Sequence, residues 1–224
     1  PAVMPGSIID IIAFAEEVGL IPSLDLAMCQ KVLGELERRN KHGHRYMIGV
    51  NISATSLSSP EFLAELLALL DRNAAIRDRL VFEVTESAKV PDLTRLNDAV
   101  QKLRQAGHIL CLDDLGAGEA GFRYLSRLDV DVAKIDGQYV RAATTSPKGR
   151  ALLRAMVQAC HDLGIMTIGE VIEDEAHARI ARDCGLQYGQ GYYFGRPAAD
   201  ISGFELPRPV ALAGDKPRSG RGGD

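Results

Sequence analysis

Residues Leu110–Gly121 read LCLDDLGAGEAG. The run HILCLDD, His108–Asp114, has the short apolar core of a buried strand. It ends on two adjacent carboxylates, and glycines at 116 and 118 follow at alternate positions. Like charges repel, and burying either one costs free energy. A chain accepts that cost where a cation sits between the carboxylates or where they share a proton. The glycines mark a turn directly after the strand.

The same alternation runs outward in both directions. On the N-terminal side, IIDIIAFAEEVGL and LDLAMCQKVLGELERRN have helical spacing, the first ending at Gly19. YMIGVNIS (Tyr46–Ser53) reads as a strand. SPEFLAELLALLDRN follows as a helix, with Ser59 as N-cap and Pro60 in the first turn. LVFEVTE is a strand, and LTRLNDAVQKLRQAG a helix closed by Gly107. On the C-terminal side, GFRYLSRL is a short helix, DVAKID a strand and GRALLRAMVQACHDLG a helix. IMTIGEVIE is a strand, DEAHARIARDCG a helix and YGQGYYF the last strand. Strands separated by helices imply crossover connections and a parallel sheet, with strands apolar on both faces. An open doubly wound sheet and a (β/α)8 barrel both fit. No GxGxxG follows a strand and no GxxxxGK[ST] occurs, which weakens the nucleotide-binding open sheets.

In a barrel the chemistry sits at the C-terminal strand ends. Those ends are polar in all six expected strands: Asn51; Glu83 and Glu86; Asp113 and Asp114; Lys134 and Asp136; Glu170 and Glu173; Gln190. A lone Asp after a strand reads as a helix N-cap. The whole set is not explained by capping, because several members lie inside the apolar pattern. Single members such as Asp136 and Glu173 fit loop bracing equally well. An amide and carboxylates are hard oxygen donors, suited to Mg2+ or Mn2+ rather than zinc. The histidines read as surface residues: His42 and His44 in a loop, His108, His161 and His177 on or beside helices. Adjacent Asp113 and Asp114 suit a two-metal site with one bridging carboxylate, and metals about 3.5–4 Å apart clamp both oxygens of a phosphodiester displacement. Lys134 then orients the attacking water or neutralises phosphate charge.

The bulk properties set limits. With 224 residues, 46% hydrophobic and 25% charged, the chain is long enough for one sizeable core. A net charge of -4 argues against a dedicated DNA or RNA binder but not against a small phosphate ligand held by metals. The four cysteines form no CxxC pair, and Cys111 and Cys160 lie in apolar stretches. Buried reduced thiols suit the cytoplasm. No run is apolar enough for a membrane span and no signal pattern opens the chain. Residues 1–206 read as the folded domain. The tail 207–224, PRPVALAGDKPRSGRGGD, reads as a solvated linker.

VNIS, FEVTE, DDLGAG, KID, the Glu170 and Glu173 pair, and QGYYFGRP occur here in an order and spacing that resemble EAL domains, the bacterial cyclic di-GMP phosphodiesterases. The resemblance runs from about Pro5 to Pro197. It implies a TIM-barrel-like α/β fold and hydrolysis of cyclic di-GMP to linear pGpG with two Mg2+ or Mn2+ ions. It implies Asn51, Glu83, Asp113 and Asp114 as metal ligands, with Asp113 bridging. Glu170 is a ligand or assists the general base. Lys134 holds the catalytic water, Gln190 lies at the site edge, and Glu86 anchors the loop after Asp114. A homodimer, an upstream sensor or GGDEF-type domain, membrane attachment through a larger protein, and roles in biofilm and motility belong to the same implication.

Three departures stand out. The Glu-Ala-Leu segment of the family's second strand is absent, so two strands of the eight are expected to be missing, which leaves about six β/α units and open sheet edges. The loop reads DDLGAGEAGF where the family commonly has DDFGTGYSS. Val171 stands where glycine usually follows the glutamate. An active phosphodiesterase and a non-catalytic receptor or scaffold both remain open, with another metal-dependent barrel enzyme disfavoured by QGYYFGRP.

Overall fold

The computed structural model describes residues 8–41, 46–85, 92–118 and 121–198. Among these, six strands alternate with helices. The chain divides into two compact units at Val132 and Ala133.

In the first unit, α1 (Ile8–Glu17) and α2 (Ile21–Asn40) precede β1 (Ile48–Asn51). A single turn α3 (Ala54–Leu57), then α4 (Pro60–Arg72) and a 3-10 segment (Ala74–Arg79), lead to β2 (Leu80–Thr85). Next come α5 (Leu93–Gln105), β3 (Ile109–Leu115) and α6 (Gly121–Leu125). The strands β1, β2 and β3 are parallel neighbours in chain order, with Val50 beside Phe82 and Phe82 beside Leu110. The second unit takes β4 (Val132–Ile135), which opens at the division, then α7 (Gly137–Thr145), α8 (Pro147–Asp162), β5 (Met166–Gly169), α9 (Glu175–Asp183) and β6 (Tyr188–Gly189). Here too the strands lie in chain order, and β5 and β6 are parallel.

Local chemistry explains the helix limits. The Ser59 hydroxyl accepts from the Phe62 amide, with Pro60 at the first helical position. Asp92 accepts from the amides of Thr94 and Arg95 at 3.0 and 3.1 Å. At the far end of α5, Gly107 has φ 90°, and the Gly107 and His108 amides donate back to Arg104 and Leu103. Asp92→Ala is expected to lower stability by about 1 kcal/mol, the usual worth of such a cap, measurable as a shift in the urea midpoint.

The core is aliphatic. Leu66, Leu80, Phe82, Leu96, Leu103, Leu110 and Leu112 are fully buried. All four cysteines are buried thiols, and burial pushes Cys29 to about 12 and Cys160 to about 11. No helix among the described residues is long and apolar enough to cross a membrane.

Several sequence expectations change. The strands are not uniformly apolar on both faces: β1 and β2 bury one face, while Asn51 and Glu83 stand on the other. The segment after β4 forms α7, which the sequence pattern did not show: its buried residues are Gly137, Val140 and Ala143, and Asp136 caps it. The fifth strand stops at Gly169, since Val171 takes φ 54° and breaks the extended run. The sixth stops at Gly189, with a turn closed from the Phe194 amide to the Gly191 carbonyl. His108 is buried, not at the surface, and packs edge-on to Phe82 at 5.4 Å. The readings placed on His42, His44, Glu86 and the tail 207–224 lie outside the described residues.

Candidate active site

In the first unit, the register fixes which side chains share a face. Asn51 on β1 is the neighbour of Glu83 on β2, Glu83 pairs with Cys111, and Asp113 lies two residues beyond Cys111. Side chains alternate along a strand, so Asn51, Glu83 and Asp113 stand on one face, while Val50, Phe82, Leu110 and Leu112 stand on the other. Asn51 is exposed, Glu83 half-buried and Asp113 only 8% exposed.

Gly49 belongs to this arrangement. A Cβ built on it would overlap the Glu83 carboxylate, so β1 has no side chain where Glu83 lies. A glycine inside a strand is a signal for close approach, and that signal was available in the sequence.

Asp113 and Asp114 each offer a carboxylate oxygen within 4.8 Å of the other's. The Asp114 amide donates to Asp113 Oδ1 at 3.0 Å, and Asp114 sits at φ 56°. Left-handed backbone is tolerated by Asp better than by most residues, and here it turns the second carboxylate back beside the first. The spacing and all-oxygen chemistry fit a hard divalent cation.

Behind β1, Asp25 of α2 reaches the turn after Asn51. Its Oδ2 accepts from the Ser53 amide at 2.9 Å and the Ser56 hydroxyl at 2.6 Å. Burial raises the Asp25 carboxyl above the ordinary range, and those two bonds partly oppose the rise.

In the second unit, Lys134 on β4 pairs with Glu170, the residue after β5, at 3.0 Å from Nζ to Oε1. Lys134 is 5% exposed. The Glu170 amide donates to the Ile135 carbonyl at 3.1 Å, which ties this loop to β4. Gln190 follows β6, its amide donating to Gly169 and its carbonyl accepting from Ile172. Asp136 accepts from the Gln138 amide at 2.7 Å and caps α7. Glu173 is exposed in the loop past β5 and lies outside any strand.

Val171 and Gly137 form a pair that the sequence did not disclose. A Cβ on Gly137 would overlap Cβ and Cγ2 of Val171, and would stand 3.2 Å from the Glu170 carbonyl oxygen. No local pattern marks Gly137, because its constraint comes from a residue far along the chain.

A family model described as EAL domain matches residues 5–197. The chain belongs to the EAL domain family. The EAL relatives include cyclic di-GMP phosphodiesterase PdeB of Shewanella oneidensis, 32% identical over 83% of this chain and 22% of that protein. Cyclic di-GMP phosphodiesterase PdeF of Escherichia coli is 25% identical over 88% of this chain and 26% of that protein. The chain thus spans about a quarter of the length of these curated relatives. Among solved structures, an EAL domain protein from Listeria monocytogenes has a TM-score of 0.72 at 25% identity, covering 85% of this chain and 74% of that one. The FimX EAL domain of Xanthomonas citri, solved in complex with c-diGMP, has a TM-score of 0.80 over 92% of this chain and 81% of that one. At 19% identity that likeness carries the fold alone: the TIM-barrel-like α/β fold of EAL domains.

Proposed function

We propose that this EAL domain hydrolyses one phosphodiester bond of cyclic di-GMP, giving linear pGpG, with two divalent cations, Mg2+ or Mn2+. The observation that carries the reading is the paired carboxylates of Asp113 and Asp114, close enough to share a cation at the end of a buried strand. Relatives named cyclic di-GMP phosphodiesterases support the substrate.

Asn51, Glu83, Asp113, Asp114 and Glu170 would hold the cations. Bound there, the cations would supply Lewis acidity toward a water and toward the phosphodiester oxygens. Lys134 orients the water and meets phosphate charge, its ammonium positioned by Glu170 at 3.0 Å. Gln190 borders the substrate, Asp136 and Glu173 brace their loops, and Glu86 anchors the loop after Asp114. Homodimerisation and action in the cytoplasm belong to the same proposal.

A second reading is a cyclic di-GMP receptor without turnover. It is favoured by one observation: the loop after the paired aspartates reads DDLGAGEAGF, where the family commonly has DDFGTGYSS. Incubation with cyclic di-GMP, with and without Mg2+ or Mn2+, followed by chromatography of pGpG, separates the two. The enzyme reading expects metal-dependent pGpG that Glu83→Ala and Lys134→Ala each remove. Binding of cyclic di-GMP with no pGpG under any metal would replace it with the receptor.

A further inference from the structure

We propose that Asp25 is a positioning residue for Asn51, holding the turn that sets where this side chain stands at the end of β1. The inference rests on the reading of Asn51 as a metal ligand. Asn51 is exposed and is the last residue of β1. An exposed side chain takes its position chiefly from its backbone, here the turn on its C-terminal side. Two successive amides supply that restraint. The Ile52 amide donates to the Glu83 carbonyl at 2.9 Å, which ties the turn to β2. The Ser53 amide donates to Asp25 at 2.9 Å, which ties it to α2, 28 residues away in sequence.

The clamp continues beyond Ser53. The Ser53 hydroxyl accepts from the Thr55 amide at 3.2 Å and starts α3. The Ser56 hydroxyl, fully buried in that turn, donates to the same Asp25 oxygen at 2.6 Å. One carboxylate oxygen therefore holds both the entry and the body of α3. Asp25 is itself 9% exposed, so it cannot swing into water and leave the turn unaltered. The bonded groups orient the ligand without touching the ion, and outer partners of this kind set ligand direction.

The test titrates the full 224-residue chain with Mn2+ alone, following the free ion by EPR. Asp25→Ala is expected to weaken Mn2+ binding about 10–100-fold, the range for loss of an outer partner. Asp25→Asn should retain near wild-type affinity, because its amide oxygen can accept both bonds. Adding Asp25→Ala to Asn51→Ala should weaken binding no further than Asn51→Ala alone. Ser56→Ala keeps the Ser53 bond and should give a smaller loss; it serves if Asp25→Ala does not fold. If Asn51→Ala weakens Mn2+ binding while the folded Asp25 and Ser56 variants bind as wild type, the positioning role is overturned and the Asn51 reading stands. Lower stability with unchanged Mn2+ affinity also overturns it, leaving Asp25 as a brace. If Asn51→Ala binds Mn2+ as wild type does, the Asn51 reading fails and takes the positioning role with it.

Discussion

Lys134→Met is expected to lower the unfolding free energy by about 3 kcal/mol, and adding Glu170→Gln to return most of that loss. The Lys134 side chain is 6% exposed and the Glu170 side chain 16%, with 3.0 Å between their charges. Removing the ammonium leaves a largely buried carboxylate without the counter-charge 3.0 Å away. That typically costs about 3–5 kcal/mol, and the partial exposure of Glu170 places this case at the lower end. Removing both charges also removes the desolvation that the pair must offset, so the double variant approaches wild type. Urea unfolding of the two single variants and the double variant measures the coupling. Additive losses would show that the two charges do not depend on each other. Turnover behaves differently under the proposed function. Lys134→Met and the double variant both lose it, because restoring stability does not restore the ammonium that orients water.

Gly137→Ala is the second large effect. It is expected to cost about 2–3 kcal/mol, the range for forcing atoms into a packed site. The added methyl meets the Cβ and Cγ2 of Val171, and a branched side chain on strained backbone cannot swing aside. Val171 holds φ 54°, a conformation that costs an L-residue roughly 1–2 kcal/mol. Val171→Gly alone is therefore close to neutral: it relieves strain but loosens the unfolded chain by about 0.4–1 kcal/mol and gives up side-chain contacts. Combined with Gly137→Ala, it opens the space the methyl needs and recovers most of the stability. A thermal melt of the three variants checks this. A double variant no more stable than Gly137→Ala would mean that Val171 is not the obstacle. Glu170 immediately precedes Val171, so a chain that accommodates the added methyl by shifting this loop also moves the Glu170 carboxylate away from Lys134.

Both effects show which parts of the molecule could be read locally. The alternation of strand and helix was legible, because each element carries its own apolar period and its own punctuation. Ser59 with Pro60 opened α4, and Gly107 closed α5 through bonds to Leu103 and Arg104. The polar residues at strand ends were legible for the same reason. In a parallel α/β chain, an acid at the end of an apolar run falls at the C-terminal edge whatever the packing. The helix α7 was not legible: Gly137, Thr144 and Thr145 are poor helix formers, and its start depends on the Asp136 cap. The ends of β5 and β6 were misjudged because apolar runs continue past the points where the backbone turns.

The alternation of strands and helices apart from α7, the stops at Ser59 and Gly107, the oxygen-donor character of the site and its family were determined by the sequence, since each depends on residues near one another in the chain or on motifs in order. Distances between chain-remote groups were decided only in the tertiary structure. Gly49 makes room for Glu83, Gly137 for Val171, and Asp25 holds the turn after Asn51. Lys134 meets Glu170 across 36 residues, the difference between their positions in the chain. Steric exclusion and hydrogen bonding act over a few ångströms of space, and a linear pattern does not state which distant residues will occupy it.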